Sequence, residues 1–428
     1  MGGDVVRSIE YFGFVPYNRN GFKENGKFSK KPNQDNFRGV KMAENSITKS
    51  FKFRIFPSKT QSQKLEQTLF LCRELYNAAL AERKQAYQLN RISLNYYDQA
   101  NQLSEIKSTN PEYKDVHSQV CQDVLKRLEK SFQSFFRRVK AGQKAGFPRF
   151  KGKNRFDSFC YTQSGFNLSE NRLTLSKIGK VKVKLSREMN GKVKQCRIKQ
   201  ECGKWFVIFT VQTSVEPLEK TGKHIGIDVG IENFANLSDG TQIDNWKYYE
   251  QSQKKLRIAQ RSVSRKKKGS HSRRKAVLKL RKIHQKIKNQ RADFQHELST
   301  HLVKEFDLIA IEKLNILGMS KGIFSKQIHD VSWSSFFQMI RYKAENAGRE
   351  LKQVSPNFTS QTCLCGHREK KTLSQRWHNC LECGLSIHRD ILSAKIILKL
   401  GEGHSLESLK WAVAPCFDSE SPSITVWV

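Results

Sequence analysis

The stretch HIGIDVGIENFANLSDG, residues 224–240, decides how the second half of the chain is read. Ile225, Ile227 and Val229 recur at the period of a strand with one buried face, and the apolar run ends on Asp228 just before Gly230. An aspartate in that place has two readings. It shapes a turn, or it is a metal ligand presented at the lip of a sheet. Partner carboxylates elsewhere in the chain decide between them.

Two such partners are present. FDLIAIEKLNI, residues 306–316, is a second buried strand whose apolar run ends in Glu312. Asp390, in SIHRDILSAKIILKL at residues 386–400, stands immediately before a helix with an apolar face. Each acid alone has an ordinary role: a turn for Asp228, a surface strand end for Glu312, an N-cap or first-turn position for Asp390. Three of them at the edges of successive core elements, in a chain with only 40 Asp plus Glu against 77 Lys plus Arg, form a stronger signal. Carboxylates gathered without a compensating Lys call for cations, and two Mg²⁺ ions shared with a phosphodiester fit that need.

The charge points the same way. A formal net charge of +37 over 428 residues makes the isolated protein repel itself unless a polyanion neutralises it. The basic residues recur through the whole chain rather than beside one amphipathic anchor, which favours nucleic acid over a membrane surface. No apolar run is long enough to cross a bilayer, and MGGDVVRSIEYFGF at the N-terminus lacks the apolar core of a signal peptide. The expectation is a soluble, intracellular protein, cytoplasmic and nucleoid-associated, with a hydrophobic content of 37% that fits several globular domains.

Along the chain, residues 1–41 lack apolar periodicity and read as a floppy extension. ITKSFKFRIF, residues 47–56, alternates apolar with basic or polar side chains and stops at Pro57, a half-buried strand whose outer face carries Lys52 and Arg54. Leu65, Leu69, Cys72, Leu75, Tyr76 and Leu80, and later Val124, Leu128, Phe132, Phe135, Phe136 and Val139, keep helical spacing and predict a helical lobe. It closes with GFPRFKGKNRF, residues 146–156, where Arg149, Lys151, Lys153 and Arg155 interleave with Phe147, Phe150 and Phe156. That pattern suits stacking and backbone contact with RNA, and equally a solvated loop with hydrophobic anchors. KVKVKL at 180–185 and KWFVIFTVQ at 204–212 read as antiparallel strands that complete a small barrel with the first strand, across the helical insertion. Farther on, Val277, Leu280, Ile283, Ile287, Phe294, Leu298 and Leu302 form the stripe of one long helix. It is preceded by the charge run SRKKKGSHSRRK, residues 264–275, a phosphate-tracking candidate that includes Arg273 and Arg274.

Of ten cysteines, four sit close together: Cys363, Cys365, Cys380 and Cys383. Cys380 and Cys383 form C-x-x-C followed by Gly384, a zinc-knuckle pattern, whereas Cys363 and Cys365 form C-x-C, one residue shorter. Four thiolates in so short a span predict a structural Zn²⁺ site, and His367 or His378 could replace one thiolate if the short knuckle fails to close.

Taken in order, FKFRIFPSKTQ, CRELYNAAL, GFPRFKGKNRFDSF, GIDVGIENFANLSDG, LRKIHQKIKNQRADFQHELS, IAIEKLNILGM, SQTCLCG with CLECG, and HRDILSAKIIL resemble the TnpB family. These are transposon-associated RNA-guided nucleases related to compact type V CRISPR effectors. The resemblance spans roughly residues 45–400. It implies a multi-domain α+β protein: a wedge β-barrel with a helical recognition insertion, then an RNase H-like RuvC nuclease domain with an inserted zinc ribbon. The implied boundaries are a wedge strand at 42–57, the helical lobe at 58–142, the rest of the wedge barrel at 143–218, the RuvC domain at 219–355 and 384–400, the zinc ribbon at 356–383, and a tail at 401–428. Asp228, Glu312 and Asp390 fall on the family's catalytic, Mg²⁺-binding acids, and Cys363, Cys365, Cys380 and Cys383 on its zinc ligands. Arg376 falls on a basic position before the second knuckle, where contact with the substrate strand is implied. Two departures stand out: the shortened first knuckle, and Leu392 where the family has Asn two residues after the third acid.

The implied activity is Mg²⁺-dependent cleavage of guide-matched DNA, with a guide RNA and target double-stranded DNA as partners and sequence read by base pairing. A guided DNA binder that represses without cutting is the alternative, as is a CRISPR-associated effector with the same chemistry.

Overall fold

The structure is a computed structural model that describes residues 46–153, 155–215, 217–372, 375–406 and 408. The expected extension at 1–41 and most of the tail at 401–428 lie outside these residues. The chain divides into two units, Met1–Ser214 and Val215–Val428, four residues before the boundary expected from sequence.

In the first unit, strand β1 (Ser46–Phe56) shows the alternation its sequence demands: Phe53 and Ile55 are buried, Lys52 and Phe56 exposed. Pro57 ends the strand, and Ser58 opens helix α1 (Lys59–Asn90) through a capping box, its hydroxyl accepting from Gln61 N–H while the Gln61 side chain accepts from Ser58 N–H. Helices α2 (Tyr96–Asn101) and α3 (Leu103–Thr109), a 3₁₀ turn at Pro111–Asp115 and helix α4 (Ser118–Lys140) complete the helical insertion. Its apolar stripes, including Leu65, Leu75, Val124 and Leu128, join the sheet residues Phe53, Phe159 and Phe209 in one continuous core.

Strands β2 (Ser158–Tyr161), β3 (Phe166–Ser169), β4 (Arg172–Leu175), β5 (Gly179–Lys184), β6 (Lys192–Glu201) and β7 (Lys204–Ser214) pair with β1 in a seven-stranded antiparallel sheet, ordered β2-β6-β7-β1-β5-β4-β3. The helices are thus inserted between β1 and its ladder partners, as the periodicities predict. The edge strands β2 and β3 are joined by residues 162–165 alone, so the sheet curls nearly to closure, and Tyr161 of β2 donates its hydroxyl to the Ser176 carbonyl beyond β4 at 3.0 Å.

The second unit begins with a meander, β8 (His224–Val229), β9 (Asn233–Leu237) and β10 (Gln242–Asp244). Helices α5 (Tyr248–Ser264) and α6 (His271–Glu305) follow, and β11 (Leu308–Glu312) returns parallel to β8. Helices α7 (Ile316–Met319), α8 (Ser325–Val331) and α9 (Trp333–Ala347) lead to β12 (Glu350–Val354), parallel to β11. The five strands are ordered β10-β9-β8-β11-β12. A two-stranded ladder, β13 (Trp377–Asn379) with β14 (Ser386–His388), precedes helix α10 (Arg389–Gly401). This ladder carries the cysteine segment on to His388, past the boundary at Cys383 drawn from sequence. Helix α6 starts at His271, so Arg273 and Arg274 lie in its first turn rather than in the linker before it.

The central strands are buried on both faces. Ile225, Ile227, Ile309 and Ile311 pack with Leu302 of α6 and with Phe336, Ile340 and Ala344 of α9. On the opposite face Leu308 and Ala310 pack against Ile397 of α10. Among the described residues no helix is long and apolar enough to cross a membrane.

Candidate active site and cysteine centre

Side chains alternate along a strand, so Asp228 shares the face of Gly226, and Glu312 shares that of Ala310. That is the α10 face. In the parallel ladder Ile227 stands opposite Ile311, which places Asp228 and Glu312 side by side at the strands' C-terminal ends. Helix α10 supplies the third acid. A Cβ built on Gly226 would lie 2.1 Å from the Ala394 carbonyl oxygen, so helix and strand meet backbone to backbone there. At the other end of α10, Glu402 bonds His224 at the start of β8 at 3.1 Å. The helix therefore runs antiparallel to β8, and Asp390, one turn before Ala394, sits at the same end of the sheet as Asp228 and Glu312.

The electrostatics agree with this placement. Burial, then the Glu312 and Asp390 charges, push the Asp228 carboxyl well above its usual range, with Arg389 pulling the other way. Burial also raises Glu312, opposed by a hydrogen bond from the Thr359 hydroxyl. Asp390 is paired with Arg389 (Nε to Oδ1, 3.2 Å) and Arg376 (Nη1 to Oδ2, 3.5 Å), and Arg376 also reaches Glu232 at 2.5 Å. A buried carboxylate raised by burial and by two neighbouring acids is a donor set whose chemistry suits divalent cations. Among the described residues the oxygens of the three acids do not all come within 4.8 Å of one another.

The four cysteines do converge, with all sulfurs within 4.8 Å. Cys363 Sγ lies 3.6 Å from Cys383 Sγ, and Cys365 Sγ lies 3.6 Å from Cys380 Sγ. A tetrahedral Zn²⁺ with Zn–S of about 2.3 Å needs sulfurs roughly 3.8 Å apart, so the donor set fits zinc. The short knuckle closes because Gly366 takes φ 80° and donates to the Cys363 carbonyl at 2.9 Å, as Gly384 (φ 72°) does to Cys380 in the longer one. Neither His367 nor His378 joins the group. The fully buried Leu392 and Ile396 of α10 pack with Leu364, Leu385 and Ile387, which seats the cysteine segment on the helix. This accounts for an apolar residue at the position where Asn was expected.

The basic candidates divide. In the loop 146–156 Arg149, Lys153 and Arg155 are exposed and form no ion pair among the described residues, while Lys151 is half-buried, its ammonium 5.5 Å from the Tyr76 ring. Of the aromatics of that loop, Phe150 and Phe156 are anchors that pack on the core, whereas Phe147, which meets Phe132 and Phe135 at 5.4 Å each, stays exposed. Asn77 of α1 fixes the loop by bonding both the N–H and the carbonyl of Lys151. Lys52 is already paired with Glu201, and Arg54 lies against the Phe56 and Phe206 rings, half-buried. Arg274 is exposed and Arg273 half-buried. Thr359, Arg389, Glu232 and the contact at Gly226 were not singled out from sequence. Only Arg389, adjacent to Asp390, had a sequence signal.

With this geometry in place, a model described as "Probable transposase", of the OrfB/IS605 group, matches residues 206–322. A Cas12f1-like TNB domain model matches residues 333–397, and a helix-turn-helix model matches 42–91, where the described residues form one strand and one long helix. "Putative RNA-guided DNA endonuclease InsQ" of Escherichia coli (strain K12) is 32% identical over 82% of this chain and 92% of its own length. A "Putative RNA-guided DNA endonuclease" of Streptomyces pristinaespiralis is 32% identical over 83% of this chain and 90% of its own length. The fold is similar to that in a cryo-EM structure of a Cas12f1–sgRNA–target DNA complex, with TM-score 0.55 and 13% identity over 83% of this chain and 99% of that one. Fold and site define a multi-domain α+β protein with a carboxylate cluster at one end of a mixed sheet. The chain belongs to the TnpB family of IS605-type transposons.

Proposed function

We propose that the protein is a transposon-associated RNA-guided DNA endonuclease that hydrolyses phosphodiester bonds of guide-matched DNA, with Asp228, Glu312 and Asp390 as its catalytic acids. The observation that carries this reading is the meeting of the three acids: the Ile227–Ile311 register and the Gly226–Ala394 contact bring them to one end and one face of the sheet. The strand order, an antiparallel meander continued by two parallel strands, reads as an RNase H-like RuvC core. Divalent cations such as Mg²⁺, held by these acids, would supply an activated water and stabilise the leaving oxygen. The chain's own part is positional. Thr359 orients Glu312, Arg389 and Arg376 balance Asp390, and Arg376 stands at the site's mouth where a substrate phosphate would compete for it. Cys363, Cys365, Cys380 and Cys383 would hold a structural zinc, since four thiolates leave no open coordination position. The charge of +37 and the exposed Arg149, Lys153, Arg155 and Arg274 suit binding to guide RNA and target DNA.

The test is Mg²⁺-dependent cleavage by the protein purified with RNA from its own flanking DNA, on plasmids carrying the guide's target beside randomised bases. Asp228→Ala should abolish cutting and spare target binding. Full cutting by that variant would refute the metal assignment, and specific retention of target by the unaltered protein without any cutting would establish the repressor instead.

A further inference from the structure

The loop that leaves β10 is held more firmly than a connection requires. Lys247 adopts a left-handed backbone (φ 46°, ψ 44°), which costs energy for a residue with a side chain. Its neighbours fix it there. Asn245 Nδ2 donates to the Ile231 carbonyl at 2.7 Å and Asn245 Oδ1 accepts from Lys247 N–H at 3.1 Å. Gln251 donates to the Trp246 carbonyl at 2.8 Å, and Tyr249 N–H donates to the Asp330 carboxylate, itself ion-paired with Arg291 of α6. The outcome is that Trp246 and Tyr248, on either side of Lys247, lie parallel within 11°, with ring centroids 6.5 Å apart. Tyr248 is half-buried, yet 46% of Trp246 remains exposed.

The position of this aromatic pair matters as much as its rigidity. Val229 of β8 pairs with Ala235 of β9, and Asn233 of β9 with Asp244 of β10, so β10 ends where β8 ends. Trp246 therefore stands at the carboxylate end of the sheet: the register puts Gln242 two strand spacings, about 10 Å, across from Asp228, and Trp246 follows four residues beyond it, beside α6 and α8. The Asn245–Ile231 bond ties its loop to the turn that directly follows Asp228.

We infer that Trp246, backed by Tyr248, is a stacking platform for one base of the DNA strand held at the carboxylates. This inference rests on the nuclease reading above. The cleft behind the pair, lined by Phe234, Arg291, Phe294 and Asp330, measures about 10 Å³, room for one water, so a base lies on the outer indole face rather than inside. Phosphate recognition is a poor alternative here. Arg291 is neutralised by Asp330, and after burial it is Asp293 and Glu297 that raise the Tyr248 phenol pKa, so the local charge is mixed. What the surface offers is a fixed aromatic face, which accepts any base.

The test measures binding of fluorescein-labelled oligodeoxythymidine and oligouridine by fluorescence anisotropy. The full-length protein in its RNA complex is used at two salt concentrations without added Mg²⁺, and a single abasic position is walked along each oligonucleotide. Trp246→Ala should weaken DNA binding about tenfold or more at both salt concentrations with an unchanged salt slope, and Trp246→Phe should stay within about threefold of the unaltered protein. One abasic position should cost the unaltered protein a similar factor and cost Trp246→Ala nothing. Unchanged affinity in Trp246→Ala, a reduced salt slope, equal losses in the Ala and Phe variants, or an effect confined to oligouridine would each overturn the inference. Asp228→Ala separates the two readings: if it still cuts, the assignment of the catalytic site to these carboxylates fails while the dependence of binding on Trp246 is judged on its own.

Discussion

Adding one methyl group at Gly226 should disable the site from within. Gly226 lies on the strand face that meets α10, with its N–H donating to the Ser238 hydroxyl and its carbonyl accepting from Ser238 N–H, so the strand cannot easily slide. A Cβ there would lie 2.1 Å from the Ala394 carbonyl oxygen, 2.7 Å from Leu398 N and 2.9 Å from Leu398 Cβ, where ordinary contact begins at 3.4 Å. Two of the three atoms are backbone, so no rotamer change relieves the clash, and the helix must retreat by about 1 Å. Gly→Ala in an unstrained strand would otherwise stabilise by about 0.4–1 kcal/mol through the unfolded chain, whereas overpacking costs about 1–3 kcal/mol, so the net sign is destabilising. Asp390 rides on the same helix, and a displacement of about 1 Å at a reacting centre costs on the order of 100-fold in rate. The assay is the single-turnover cleavage rate of Gly226→Ala at saturating Mg²⁺, with melting temperature, zinc content and RNA binding measured on the same preparation. A rate within about threefold of the unaltered protein and an unchanged melting temperature would refute the packing argument.

Further expectations follow from the same geometry. Leu392→Asn, which restores the residue expected from the family pattern, should lower stability by about 3–5 kcal/mol and leave cleavage no faster, because Leu392 is fully buried between α10 and the cysteine segment; thermal melting and cleavage rate check it. Asp228 and Glu312 have raised pKa values, so the folded state keeps protons that the unfolded state has already released. Stability of the metal-free protein should therefore fall as pH rises from the ordinary carboxylate range through the raised values. The gain in melting temperature on adding Mg²⁺ should be larger near about pH 8 than near about pH 5, and Asp228→Asn should flatten the difference. Cys365→Ser should reduce bound zinc, read by elemental analysis, and lower the melting temperature, because the remaining three thiolates leave one coordination position without its sulfur.

Much of this architecture was legible because its signals are local. The alternation in residues 47–56 and the apolar runs ending in Asp228 and Glu312 are properties of single strands, and all became strands with the expected faces inward. What escaped is set by residues far apart in sequence. The rings of GFPRFKGKNRF left stacking on RNA and hydrophobic anchoring equally open; Asn77, 74 residues away from Lys151, pins that loop with Phe150 and Phe156 packed inward, while Phe147, Arg149, Lys153 and Arg155 stay exposed. Thr359 is one hydroxyl in a loop until the fold brings it to Glu312, 47 residues earlier. Gly226 read as part of an alternating strand, and only α10 crossing it explains why no side chain fits.

Helix α10 joins the two centres. Asp390, Ala394, Ile397 or Leu398, and Gly401 recur at helical spacing along the row that meets the sheet, and a Cβ on Gly401 would lie 2.5 Å from Ala310 Cβ. Leu392, Ile396 and Leu400 form a second row, offset by two residues, that holds Leu364, Leu385 and Ile387 of the cysteine segment. One rigid helix therefore presents its first-turn carboxylate to the strands while its flank carries the four-cysteine fold. Arg376 closes the loop from the other side: it belongs to the cysteine segment yet binds both Asp390 and Glu232, the latter in the turn after Asp228. Leu364, Arg376 and the seat of α10 are thus tied to the same segment as the thiolates. The geometry of the acids thereby leans on the cysteine segment, through Arg376 and through the seat of α10.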